Sequence, residues 1–254
     1  MDMRNLIIGG LSALALGLAA GAEAAPRSPA RPVSNLPDWT GIWERVGSIT
    51  WEPNGRPGVP ENPPFTPEFA EKYRRTTQAA REGHPVADPT SSCLPPGMPR
   101  IMTMSYPMEI LMTPGQVTII AEWSSQVRRV FTDGRGHPPA DELDPTYNGH
   151  SIGHWEGRGK DAVLVIDTVG IRPDTGFDSS GIEHSDQIHV VERMRQSAPG
   201  VLQDEISVID PKAFVHPWVV TKTYKRGGPD ARIMEYVCEE NNRDPLAQEA
   251  AAKP

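Results

Sequence analysis

Two short segments of this chain gather the side chains that move protons. The first is Asn148-Gly149-His150-Ser151-Ile152-Gly153-His154-Trp155-Glu156. Read as a strand, it turns His150, His154 and Glu156 to one face and Ser151, Gly153 and Trp155 to the other, because successive side chains alternate. Two imidazoles and a carboxylate on one face could serve as base and acid, or hold a metal. His150 and His154 are separated by about 13 Å of strand rise, too far for one ion unless a bulge intervenes. The expectation is therefore no metal. The second segment is Glu183-His184-Ser185-Asp186-Gln187-Ile188-His189, where a loop enters a strand. His184 and Asp186 could face the same way, and a carboxylate beside an imidazole fixes its tautomer and raises its pKa. The candidate catalytic residues are thus His150, His184, Glu156 and Asp186. A wet strand face and an exposed polar turn are the plain alternatives.

Charges inside apolar runs form a third set. Arg128 and Arg129 interrupt a strand-like stretch, so one of them must face inward. Glu109, Glu122, Asp167 and Glu192 sit in similar runs. An inward charge must be paired, since an unpaired buried charge is very costly. An inward arginine could anchor an anionic ligand or close a structural ion pair. Aromatic and soft apolar surface comes from Tyr106, Trp123, Trp155 and a methionine series at 98, 102, 104, 108 and 112. Methionine adapts to irregular shapes, so this stretch suits either an apolar ligand cavity or an irregular core. The candidate ligand-binding residues are Arg128, Arg129, Tyr106, Met108, Trp123 and Trp155.

The elements that must position these groups are short and numerous. With 27 prolines and 23 glycines, the chain is punctuated too often for long helices. Strands are predicted at 41–47, 107–113, 117–124, 126–132, 150–156, 162–168, 185–195, 201–209, 217–225 and 231–238. Thr113-Pro114-Gly115-Gln116, Asp133-Gly134, Ala198-Pro199-Gly200 and Gly227-Gly228 read as turns. Short loops make neighbours antiparallel, and about ten strands avoid exposed edges by curling into a barrel or sandwich. One helix is predicted, with Thr66 as cap, Pro67 first, Glu68 in its positive end, Phe69 and Tyr73 on one face, and an end near Gly83.

Residues 1–24 have the layout of a secretory signal peptide: Arg4, an apolar stretch from Leu6 to Ala20, then Ala22-Glu23-Ala24 before the expected cleavage point. The stretch is shorter than the roughly 20 residues that span a bilayer, and no later segment is apolar enough, so no stable membrane span is expected. Residues 25–37 read as a disordered proline-rich leader, 38–244 as one β-domain and 245–254 as a disordered tail. The net charge of −8 becomes −7 once Asp2, Arg4 and Glu23 are removed, which argues against a nucleic-acid partner. In an exported chain Cys93 and Cys238 favour a disulfide, worth about 5 kcal/mol in the chain-entropy view. Two buried free thiols are the alternative. No P-loop, Gly-x-Ser-x-Gly, His-Glu-x-x-His, Cys-x-x-Cys or dinucleotide fingerprint is present, so no cofactor is expected.

Trp39-Thr40-Gly41-Ile42-Trp43 resembles the Gly-x-Trp opening of lipocalin-like (calycin-like) barrels, in which the tryptophan plugs one end. The chain also resembles exported bacterial proteins of unassigned function. The segments that carry this are Cys93-Leu94-Pro95-Pro96-Gly97, Tyr106-Pro107-Met108-Glu109-Ile110, Gly149-His150-Ser151-Ile152-Gly153 and Tyr236-Val237-Cys238-Glu239-Glu240-Asn241. The resemblance implies a barrel but brings no chemistry with it. A helix placed before most strands, and a long stretch from 47 to 106, depart from ordinary lipocalin topology.

Three functions fit this reading. The first is a periplasmic or secreted enzyme doing cofactor-free acid–base chemistry (lyase, isomerase or hydratase type) on a small apolar or aromatic molecule in a barrel cavity. The others are a non-catalytic carrier of an apolar ligand and a metal-dependent hydrolase.

Overall fold

The structure is a computed structural model and describes residues 31–47, 51, 63–84, 86, 88–238 and 240. The expected signal peptide and the 245–254 tail lie outside these residues. So does the proline-rich leader up to residue 30. From Arg31 that leader is held: Val33–Asn35 form a single 3₁₀ turn, Arg31 donates to the Gly157 carbonyl, and Leu36 packs on the core.

Nine strands close into a barrel in chain order: β1 (Gly41–Val46), β2 (Met108–Thr113), β3 (Gln116–Ala121), β4 (Gln126–Phe131), β5 (His150–Glu156), β6 (Val163–Val169), β7 (His189–Ala198), β8 (Val201–Ile209) and β9 (Trp218–Arg226), with β9 returning to β1. The mainly β class and the single early helix are as the sequence predicts. The strand at 231–238 is the difference. Because β9 already pairs with both β8 and β1, no edge remains for a tenth strand to join. Residues 227–238 instead run as a strap. Gly227 donates to the Ile42 carbonyl, Met234 donates to Glu122 Oε2, Tyr236 packs on Trp123, and Cys238 is bonded to Cys93.

Every strand pair is antiparallel except β4–β5, which is parallel and held by only two residue pairs, Val130–Ser151 and Phe131–Ile152. A parallel neighbour needs a crossover, and residues 132–149 supply it. The two strands splay beyond that short ladder.

Alternation sends large apolar side chains inward. Trp43, Ile110, Val130, Leu164, Ile166, Leu202 and Ile206 are fully buried. Trp39 and Trp43 are both fully buried; Trp43 Nε1 donates to the Trp39 carbonyl at 2.7 Å and the Arg226 guanidinium covers the Trp43 ring. Another aromatic cluster joins Trp51, Phe177, Phe214 and Trp218. The helix α1 (Pro67–Arg81) rests near it through Phe69, buried, and Tyr73, which packs on Phe65. Thr66 occupies the cap position, but its hydroxyl donates to the Lys212 carbonyl and so ties the helix to the barrel instead of capping it.

Candidate functional site

The barrel interior carries a buried polar layer. Arg128 on β4 donates twice to Glu192 on β7, one contact being 2.8 Å, and also to Thr168 on β6 at 3.0 Å and Ser151 on β5 at 3.3 Å. Arg128 is 2% exposed and Glu192 not at all. Asp204 on β8 is fully buried, and no donor reaches either of its oxygens. Burial, reinforced by the Glu192 carboxylate, pushes the Asp204 pKa far above the carboxylate range. The buried Asp204 carboxyl thus favours its neutral form. The inward arginine is thus part of an ion pair that fills the barrel, the structural option in the sequence reading.

The outer wall carries a different arrangement. Odd and even positions reverse there, so His150 (β5), Asp167 (β6) and His189 (β7) all project outward, while Ser151, Thr168 and Val190 face in. His137, from the crossover, inserts between them. Its Nε2 lies 3.0 Å from Asp167 Oδ1 and its Nδ1 lies 2.8 Å from His150 Nδ1. His189 Nε2 reaches the same Asp167 oxygen at 2.9 Å. The hydrogen bond from His189 is the main force holding the Asp167 carboxyl below its usual range, against the partial burial that opposes it. That same bond raises His189. Burial, with His137 and Arg135 nearby, lowers His150 below its usual 6.5.

The proton positions follow from valence. An ionised Asp167 only accepts, so His137 Nε2 must carry a hydrogen. In the tautomer in which His137 Nδ1 accepts, His150 donates from its own Nδ1. This leaves a lone pair on His150 Nε2, which has no partner among the described residues. A carboxylate thus orients one imidazole, which orients a second whose outer nitrogen is basic and free.

His150 also lines a groove of about 360 Å³ where β4 and β5 diverge. Phe131 and Tyr147 supply aromatic walls, and Arg129 and Asn148 supply polar groups. The Phe131 ring sits 5.6 Å from the His150 ring, and the Arg135 guanidinium lies over it at 3.9 Å.

Of the predicted catalytic residues, only His150 joins this cluster. His184 is buried and held between Thr175 and the Ser185 carbonyl. Glu156 pairs with Arg193, and Asp186 with Lys212. Asp186 does not stand beside His184, because Ser185 between them is drawn onto Asp210 by both its N–H and its hydroxyl. Residues 186–187 therefore form an exposed turn between the buried Ser185 and Ile188, and β7 begins only at His189. Among the predicted ligand residues, Met108 and Trp155 are buried in the core, the latter against Trp39. Tyr106 and Trp123 stack with Tyr236 under the strap. Met98 and Met102 are also buried, so this part of the methionine series fills core. Arg128 and Arg129 both border the groove, one from beneath and one on the outer wall.

Asp167 and His189 stood in the sequence as a charge in an apolar run and the end of a polar segment. His137 lies in a Gly- and Pro-rich loop with no pattern of its own. The only signal was that three histidines and a carboxylate follow one another from the crossover through three consecutive strands.

Among the described residues no group of three or more His, Cys, Asp and Glu is disposed to hold a metal ion, and no helix is long and apolar enough to cross a membrane. No protein-family model matches the chain, and no curated protein matches it.

Proposed function

We propose that this protein is a periplasmic or secreted enzyme that performs cofactor-free acid–base chemistry, of the lyase, isomerase or hydratase type, on a small molecule with aromatic or apolar character. Its seat is the β4–β5 groove on the outer wall, not a cavity inside the barrel. The observation that carries the reading is the Asp167–His137–His150 chain, which ends on a free imidazole nitrogen beside the aromatic Phe131.

The chemistry follows from that chain. His150 Nε2 takes a proton from a substrate carbon and leaves the electron pair on the substrate. The Nδ1 proton of His150 passes to His137 Nδ1, and the new imidazolium lies against the Asp167 carboxylate. The electron pair then either expels a β-leaving group or accepts a proton back at another carbon. The lowered pKa of His150 keeps it neutral, and so competent as a base, near pH 7. A carrier would need room inside the wall. Six strands instead contribute Arg128, Ser151, Thr168, Glu192, Asp204 and Lys222 to the buried interior.

The test uses hydrogen exchange. A panel of small carboxylic acids with acidic α-hydrogens is incubated with the protein in D2O and followed by NMR. Deuterium should enter at least one of them with wild type. H150Q should abolish this, and D167N should slow it by about 10²-fold or more, the range expected for a positioned base. No exchange with any acid, or exchange untouched by H150Q, ends the proposal.

A further inference from the structure

The groove's charge is at odds with that of the protein. The chain carries a net −8. Yet no carboxylate is among the residues that line this groove, whereas Arg128 and Arg129 both are. Arg128 is neutralised from inside by Glu192. Arg129 is different. It is exposed on the outer wall and makes no hydrogen bond or ion pair with any described residue. The parallel pair Val130–Ser151 sets its position. One step back along both strands lie Arg129 and His150, where the ladder has already ended. Both side chains therefore project from the same side of the wall, across the gap between the strands.

A second polar group is also unused. Asn148 donates from Nδ2 to Gln126 Oε1 at 3.3 Å, but its carbonyl Oδ1 is buried without a donor. A ligand that supplies a donor would satisfy this acceptor. With Phe131 and Tyr147 as apolar walls, the same groove is lined by a cation, by Asn148 with its unpaired acceptor, and by a base.

We infer that the β4–β5 groove recognises small aryl-substituted hydroxy-carboxylates, with the carboxylate on Arg129 and the hydroxyl donating to Asn148 Oδ1. This rests on the acid–base reading above, and names its substrate class. The arrangement aims the carbon that bears both groups toward His150. Guanidinium suits a planar carboxylate because it can donate in parallel pairs.

The experiment compares binding of mandelate, phenylacetate, benzyl alcohol and benzylamine by calorimetry, with wild type, R129A, R129Q, N148L and H150Q. Mandelate should bind most tightly, phenylacetate about 5–10-fold more weakly for want of the hydroxyl, and the alcohol and amine not measurably. R129A and R129Q should each weaken both acids at least tenfold; the side chain is exposed, so the wall is unaffected. N148L should bring mandelate and phenylacetate to similar affinity. Binding of the alcohol or amine as tight as the acids, or acids indifferent to both Arg129 variants, overturns the assignment. Equal affinity of mandelate and phenylacetate in wild type overturns the hydroxyl contact. The two failures are separable, because H150Q should keep binding mandelate. If mandelate binds through Arg129 but shows no His150-dependent exchange in D2O, the substrate class stands and the catalytic reading falls. If exchange occurs with acids that ignore Arg129, the reverse holds.

Discussion

Replacing Arg128 by Met tests whether the interior of the barrel is held by its ion pair. The guanidinium makes two hydrogen bonds to Glu192 and further ones to Thr168 and Ser151. Methionine fills much of the same volume but leaves the Glu192 carboxylate, fully buried, without that partner. Removing one member of a buried pair costs about 3–5 kcal/mol, most of it the stranded charge. For a domain of this size each kcal/mol lowers Tm by about 2–4 °C, so the expected loss is roughly 6–20 °C. Adding E192L to R128M removes the stranded charge and should recover most of the loss, since apolar replacement of a whole buried pair is often neutral. Urea unfolding followed by tryptophan fluorescence gives both values, and the cycle of single and double variants gives the coupling. A single R128M variant within about 1 kcal/mol of wild type, or a double variant no better than the single, would refute the account of the interior.

Three other outcomes follow. Burial lowers the His184 pKa below its ordinary 6.5, so the unfolded chain takes up a proton that the folded chain refuses. Stability from this group is therefore present above pH 6.5 and lost as pH falls, by up to about 1.4 kcal/mol per pH unit. H184Q should show a shallower decline between pH 6.5 and 5, and parallel unfolding curves for the two proteins would sink the idea. Gly149 has φ +64°, and a Cβ there would lie 2.6 Å from the Val169 carbonyl oxygen. G149A should cost about 1–3 kcal/mol from the backbone conformation alone, plus the clash. It should also displace the adjacent His150, read as a changed imidazole ¹⁵N spectrum; an unshifted spectrum and unchanged Tm would contradict this. Replacing Cys93 and Cys238 by alanine should cost about 2–5 kcal/mol by freeing the 145-residue separation that the bridge closes. It should also loosen the Tyr236 contact with Trp123, seen as altered tryptophan fluorescence in the native state.

The local pattern of the chain determined a good deal without help. Strict alternation within β5, β6 and β8 follows from residue order, because a strand has only two faces. The turns at Gly115 and Gly200 and the helix start at Pro67 were legible for the same local reason. The need to pair a charge inside 126–131 was legible too, although the partner was not. Tertiary structure decided which faces met. Closure of β9 onto β1 removed the edge that residues 231–238 would have used. The crossover after Phe131 carried His137 from a featureless loop to a position between His150 and Asp167. Both outcomes depend on contacts between residues far apart in the chain, set by strand order and register, and periodicity within a segment carries no information about either. The separation of His184 from Asp186 was hidden on the same ground: nothing near them in sequence announces that Asp210 will draw Ser185 inward and leave Asp186 in water.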